Sequence, residues 1–174
     1  MCWGALLQPD LVLGKTVVSL SPQMISKHRL EGLILDVDDT LISTRTREVS
    51  PEVMDWFSQV RPLLKHVWLV SNNISDARIR AVAQTLSVPY IISAAKPSRR
   101  KLRRAWEAME LDARQVAMVG DRLFTDVLAG YRLGLFTVLV KPMFAPGQTV
   151  GRYPVHAFEV WFSEMMGASL EADS

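Results

Sequence analysis

The segment "LILDVDDTLIS", residues 33–43, sets Asp36, Asp38 and Asp39 directly after an apolar run with the character of a buried strand. Asp36 and Asp38 are two residues apart, so on an extended chain their side chains point to one side. Close carboxylates resist ionising together, so such a pair calls for a neutralising partner. Complementary groups follow three other apolar runs: Ser71, Asn72 and Asn73 after "WLV", Lys96 shortly after "YIIS", and Asp121 after "AMVG". One acidic pair alone reads as a solvated turn, an explanation that weakens as polar chemistry recurs at the other strand ends. An EF-hand calcium loop would require a turn glycine, a distal glutamate and a preceding helix, none of which is present.

The elements that must position these groups alternate from residue 33 onward. Short β-rich runs ("GLILDVD", "HVWLVSN", "YIIS", "VAMVGD", "FTVLV") are separated by stretches of helical period. Val53, Trp56, Phe57, Val60, Leu63 and Leu64 keep helical spacing behind Ser50 and Pro51, a cap and first-turn pair. Ile79, Val82, Ala83 and Leu86 do so behind Ser75, and Leu102, Ala105, Trp106 and Met109 behind Ser98. A fourth helix is expected from Thr125 to Gly134, and Phe158, Trp161, Phe162 and Met165 suggest one more near the end. The Trp, Met and Phe stripes read as core. The pattern predicts an α/β fold with a mostly parallel sheet covered by helices on both faces. Ligands of open α/β sheets bind at the carboxyl ends of the strands, where all four polar clusters would converge.

The chain of 174 residues, 49% hydrophobic, suits one domain over residues 1–174, with the motif-bearing core at about 30–142. Twenty Lys and Arg against 18 Asp and Glu is too even a balance for a protein that holds nucleic acid by charge, so no specific nucleic-acid binding is expected. Cys2 is the only cysteine, which excludes an internal disulfide and fits a reducing compartment. The start "MCWGALLQPDLVLGK" lacks a basic signal-peptide n-region, and Pro9 with Asp10 interrupts its apolar run. No apolar stretch is long enough to span a bilayer. The expectation is a cytoplasmic protein, in solution or on the cytoplasmic face of a membrane.

The residues resemble a known family. "DVDDTL" matches the DxDxT motif of the haloacid-dehalogenase superfamily of aspartate-nucleophile phosphotransferases, "LVSNN" its second motif, "AAKP" its third and "VGDRLFTD" its fourth, in the correct order. The resemblance implies a three-layer Rossmann-like fold and makes Asp36 the nucleophile that becomes an aspartyl-phosphate. Asp38 then serves as general acid for the leaving alkoxide and base for the attacking water. Ser71, the amide of Asn72 and Lys96 would hold phosphate oxygens, and Thr40 would brace the turn. The implied cofactor is Mg²⁺, on the Asp36 carboxylate, the Asp38 carbonyl and Asp121. Asp126 would orient a metal-bound water or Lys96, or cap its own helix. Asp39 stands where relatives commonly have asparagine, and alternation turns it from the crevice, so it reads as structural.

Spacing bears on the substrate. Between Thr40 and Ser71, and between Ser71 and Lys96, there is room for one helix and one strand each, and none for an inserted cap domain. An uncapped site points to a phosphate presented on a large carrier. "LLQPDLVLGKTVVSLSP", "VSNN" and "GDRLFTDVLAGYRLG" resemble the capless subfamily that includes phosphatidylglycerophosphate phosphatases, implying an anionic phospholipid substrate at a membrane surface. "KPSRRKLRR" places Arg99, Arg100, Lys101, Arg103 and Arg104 close after Lys96, suited either to an anionic surface or to a solvated helix face. Trp3, Leu6 and Leu7 would be buried against the domain or dip into the interface. Arg78 and Arg80 are candidates for a second phosphate or glycerol group, or for salt bridges on an exposed helix.

Three other readings remain at the level of sequence. A capless phosphatase of the same kind acts equally on nucleic-acid ends or phosphoproteins. A phosphoreceiver domain also combines acidic residues, a Lys-Pro pair and Mg²⁺, but "YIISAAKP" lacks the acceptor aspartate it requires. An inert phosphate-binding module is disfavoured by the intact set Asp36, Asp38, Lys96 and Asp121. Oligomeric state has no signature here.

Overall fold

A computed structural model of the chain describes residues 7–143. Six strands form one sheet in the order β1-β6-β5-β2-β3-β4: β1 Leu11–Val12, β2 Gly32–Leu35, β3 His66–Val70, β4 Tyr90–Ile91, β5 Val116–Gly120 and β6 Phe136–Leu139. All five pairings are parallel. The helices are α1 Pro22–Lys27, α2 Pro51–Val60, α3 Asp76–Leu86, α4 Arg99–Glu107 and α5 Leu128–Tyr131, the last preceded by a π-helical turn, Leu123–Val127.

β2 sits at the centre, and all four of its residues are buried, as expected for a parallel strand covered on both faces. Its side chains alternate between two cores. Leu33 and Leu35 pack with Ile25, Trp56, Phe57, Ile79 and Val82 from α1, α2 and α3. Ile34 packs with Leu102, Ala105, Met118 and Ala129 on the α4 and α5 side. The chain winds outward from β2 through β3 to β4, then returns to place β5 on the other side of β2. That reversal puts the ends of β2 and β5, hence Asp36 and Asp121, next to one another at the switch point where open α/β sheets bind ligands.

Several local expectations change. Ahead of residue 33, where the alternation of strand and helix begins, Leu11 and Val12 pair with Val138 and Leu139 as an edge strand. Asp10 pins it by accepting from the Thr137 amide at 2.8 Å and the Thr137 hydroxyl at 2.8 Å. A two-residue strand carries too little periodicity to be read. α2 starts as expected, with Ser50 Oγ accepting from the Val53 amide at 3.3 Å, but it ends at Val60. Pro62 lies in the short 3₁₀ turn that follows, Arg61–Leu63, and leaves Leu63 exposed rather than in the core. Ser75 and Ser98 precede their helices without capping them through their side chains. The helix expected from Thr125 to Gly134 begins instead as the π-helical turn and ends at Tyr131. Leu7 is buried against Leu123, Val127 and Leu139. Trp3, Leu6 and the helix expected at Phe158 to Met165 lie outside the described residues. Among those described, no helix is long and apolar enough to cross a membrane.

Candidate active site

β2 stops at Leu35, but the Asp36 amide still donates to the Val119 carbonyl of β5 at 3.0 Å, so the strand's register carries Asp36 to the sheet edge. Lys96 reaches it from 60 residues further along. The lysine is buried, and its Nζ donates to Asp36 Oδ1 at 2.6 Å and to the Val70 carbonyl at 2.9 Å. Asp126 Oδ1 lies 2.6 Å from the same ammonium, an ion-pair contact without hydrogen-bond alignment. The Thr40 hydroxyl sits 3.4 Å from both Asp36 Oδ2 and Asp121 Oδ1, and having one proton donates to one at a time.

The loop that delivers Lys96 is contorted: Ser93 and Ala95 both hold positive φ, 50° and 54°. Non-glycine residues there cost on the order of 1–3 kcal/mol each and persist where surrounding structure holds them. The Ser93 amide donates to the Asn73 carbonyl at 3.0 Å and the Ala94 amide to the Ser71 carbonyl at 2.9 Å, and Asn72 fixes the end of the loop. Its side chain accepts from the Lys96 amide at 2.7 Å and donates to the Lys96 carbonyl at 3.1 Å, acting as a substitute peptide. The expected phosphate contact of Asn72 concerned its backbone; its side chain positions the lysine. Ser71 Oγ donates to Asp38 Oδ2 at 3.1 Å and accepts from the Asn73 amide at 2.9 Å.

Arg78 departs most from expectation. Read either as a contact for a second phosphate or glycerol group or as a salt bridge on an exposed helix, it does form an ion pair, with Asp38 Oδ1, but it is buried. It also donates to the carbonyls of Ser43 at 2.8 Å and Thr46 at 2.9 Å. One nitrogen of the guanidinium therefore holds the Asp38 carboxylate, and the other two tie down the loop that follows the DxDxT segment. Its burial and the identity of its partners leave no local pattern, because those partners lie 32 to 40 residues away. Arg80 pairs with Asp76 one helical turn back and reaches the Tyr90 hydroxyl. Arg99 donates to the Arg132 carbonyl at 3.2 Å rather than into the Asp36 cluster. Asp39 takes positive φ, 59°, which suits Asp and Asn, and its carboxylate accepts from the Thr44 amide at 2.9 Å.

Asp126 owes its place to two features. The π-helical turn rotates it inward, with Oδ2 accepting from the Arg122 amide at 3.3 Å. Gly120, at the end of β5, leaves the space that its carboxyl group occupies, since a Cβ at Gly120 would overlap it. Gly120 is a positioning residue that sequence reading passed over, although a glycine directly before Asp121 was the available signal.

Asp36, Asp121 and Asp126 each offer a carboxylate oxygen within 4.8 Å of one another, and all three are buried. Lys96 supplies one positive charge against them. Burial pushes Asp36 up to about 7; Lys96 pulls it down while Asp126 and Asp38 push it further up. Burial likewise pushes Asp121 up to about 9, helped by Asp126 and Asp36. Burial works against the charge of Lys96, but Asp126 and Asp36 raise it above the ordinary lysine range. A buried set of three carboxylates with one ammonium among them, offering only oxygen, fits a hard divalent cation.

The sequence profile of the HAD-hydrolase-like family matches residues 93–149. Over 139 residues the chain is 31% identical to the probable phosphatase YqeG of Bacillus subtilis (strain 168), covering 80% of each protein. It is 21% identical over 129 residues to phosphatidylglycerophosphate phosphatase 1, chloroplastic/mitochondrial, of Arabidopsis thaliana, spanning 70% of this chain and 37% of that protein. An uncharacterized protein from Listeria monocytogenes serotype 4b superposes with a TM-score of 0.53 at 17% identity, over 71% of this chain and 88% of that one, a likeness of fold. With the DxDxT segment, the lysine and the acidic pair gathered at one switch point, and a relative of this identity along most of its length, the chain belongs to the haloacid-dehalogenase-like hydrolases and is a phosphatase of that superfamily.

Proposed function

We propose that this phosphatase removes the terminal phosphate of phosphatidylglycerophosphate at a membrane surface, leaving phosphatidylglycerol and inorganic phosphate. The observation that carries the chemistry is the placement of Lys96 Nζ within 2.6 Å of both Asp36 and Asp126. The contact with Lys96 favours the ionised form of Asp36, which would attack phosphorus and be esterified as an aspartyl-phosphate. Asp38, held by Arg78 and Ser71, would give a proton to the departing alkoxide and later take one from water. Asp36, Asp121, Asp126 and the Asp38 carbonyl would hold Mg²⁺, which when bound supplies charge for the equatorial phosphoryl oxygens. Lys96 and Ser71 would meet the remaining oxygens as the substrate displaces their present partners.

Two things support the lipid substrate. The intervals from Thr40 to Ser71 and from Ser71 to Lys96 hold α2 with β3, and α3 with β4, so no inserted domain stands over the cluster. The likeness to the Arabidopsis lipid phosphatase runs through 70% of this chain. The test is a panel with Mg²⁺ present: phosphatidylglycerophosphate in mixed micelles, a 5′-phosphorylated oligonucleotide and phosphopeptides. The lipid should give the highest kcat/KM; preference for either of the others would reject the lipid reading and leave the chemistry standing.

A further inference from the structure

We propose that the cavity between the start of α4 and the end of α5 binds anionic phospholipid headgroups, as a site separate from the carboxylate cluster; the inference rests on the lipid reading above. The cavity, of about 620 Å³, is lined by Ser98, Arg99, Arg100, Arg103 and Arg132, all exposed. Among the described residues, none of these four arginines is ion-paired with a carboxylate. Arg99 and Arg132 each place one donor on a backbone carbonyl, of Arg132 and Pro97 respectively, both at 3.2 Å. A guanidinium has five N–H donors, so most remain for a ligand.

Four like charges around one cavity repel each other, and two of them, Arg99 and Arg100, stand in the first turn of α4, where the helix dipole is already positive. An anion relieves both costs. Arginine is suited to phosphate because its planar fork binds two oxygens at once. The position also suits a membrane-bound substrate. Arg132 holds the carbonyl of Pro97, the residue after Lys96, so the cavity wall is joined directly to the loop that carries the site lysine. Headgroups seated there would hold the uncapped site against the surface presenting its substrate. A nucleic acid fits less well: the lining has no aromatic group on which a base would stack, and the whole chain carries a formal charge of only +2.

The experiment is vesicle flotation of the full chain, using phosphatidylcholine with and without phosphatidylglycerol. Binding should require the anionic lipid and weaken with salt. Each basic residue near such a surface contributes about fivefold, so Arg100→Gln with Arg103→Gln should lower the partition coefficient about 25-fold. Lys27→Gln with Arg29→Gln removes the same charge at α1, across the sheet, and should change it less than about threefold. Equal losses in the two double variants, no loss in the first, equal binding to neutral vesicles, or tighter binding to an oligonucleotide would each overturn the proposal. Hydrolysis of phosphatidylglycerophosphate is measured alongside. Turnover with vesicle binding unaffected by the arginines sinks the cavity and spares the substrate reading; the expected vesicle result without lipid turnover does the reverse.

Discussion

At the scale of the residue, the site depends on groups that hold other groups. Arg78 is the clearest case, since its side chain is buried and its ion pair with Asp38 is supplemented by two loop carbonyls. Removing it leaves the Asp38 carboxylate, which is partly exposed, without its ion pair and two loop carbonyls without their donor, at about 1–3 kcal/mol. Arg78→Ala should therefore lower the denaturation midpoint and depress kcat more than it raises KM, whereas a substrate-binding arginine would chiefly raise KM. Arg78→Lys should recover part of the stability, having the charge without the fork. The acidic cluster makes a second prediction. Asp36 and Asp121 have folded pKa values raised above the unfolded carboxylate value, so in cation-free protein their contribution to stability is present in acid and lost as pH rises towards 7 for Asp36 and 9 for Asp121. A divalent cation takes the ionised forms, so the rise in melting temperature on adding Mg²⁺ should be larger at pH 8 than at pH 6. A shift independent of pH would count against these carboxylates as its ligands.

At the scale of the element, short irregular pieces place the chemistry more than the long regular ones do. The π-helical turn and Gly120 together put Asp126 beside Lys96. Gly120→Ala should displace that carboxylate and lower kcat and Mg²⁺-dependent stabilisation together. Gly130→Ala is the matching control. There a Cβ would meet Thr137 Cγ2 at 2.8 Å and Met118 Cβ at 2.9 Å, crowding the core by about 1–3 kcal/mol without touching the acidic cluster. Equal loss of Mg²⁺-dependent stabilisation in both variants would mean that Gly120 acts through packing alone. This division also explains what could be read beforehand. The central strands and the apolar faces of α2, α3 and α4 follow from periodicity over several residues. β1, the π-helical turn and the left-handed bends at Ser93 and Ala95 are fixed by contacts with distant chain, such as Asn72 with Lys96, and leave no local pattern.

At the scale of the whole molecule, topology does what no single motif does: it reverses between β2 and β5 and so brings residues 36, 96, 121 and 126 to one edge. That these four residues meet could be read from the sequence because the motif order along the chain matches this winding. The tasks of Arg78 and Asn72 could not, since both act through tertiary hydrogen bonds. The account as a whole stands on Asp36, the one carboxylate in contact with Lys96 that lies on the central strand's line. Inorganic phosphate release by wild type and by Asp36→Asn, with Mg²⁺ and at a saturating concentration of whichever phosphomonoester of the panel wild type hydrolyses fastest, tests it most directly. Loss of the nucleophile should reduce kcat by at least about 10³-fold. Release by Asp36→Asn at the wild-type rate would contradict the account.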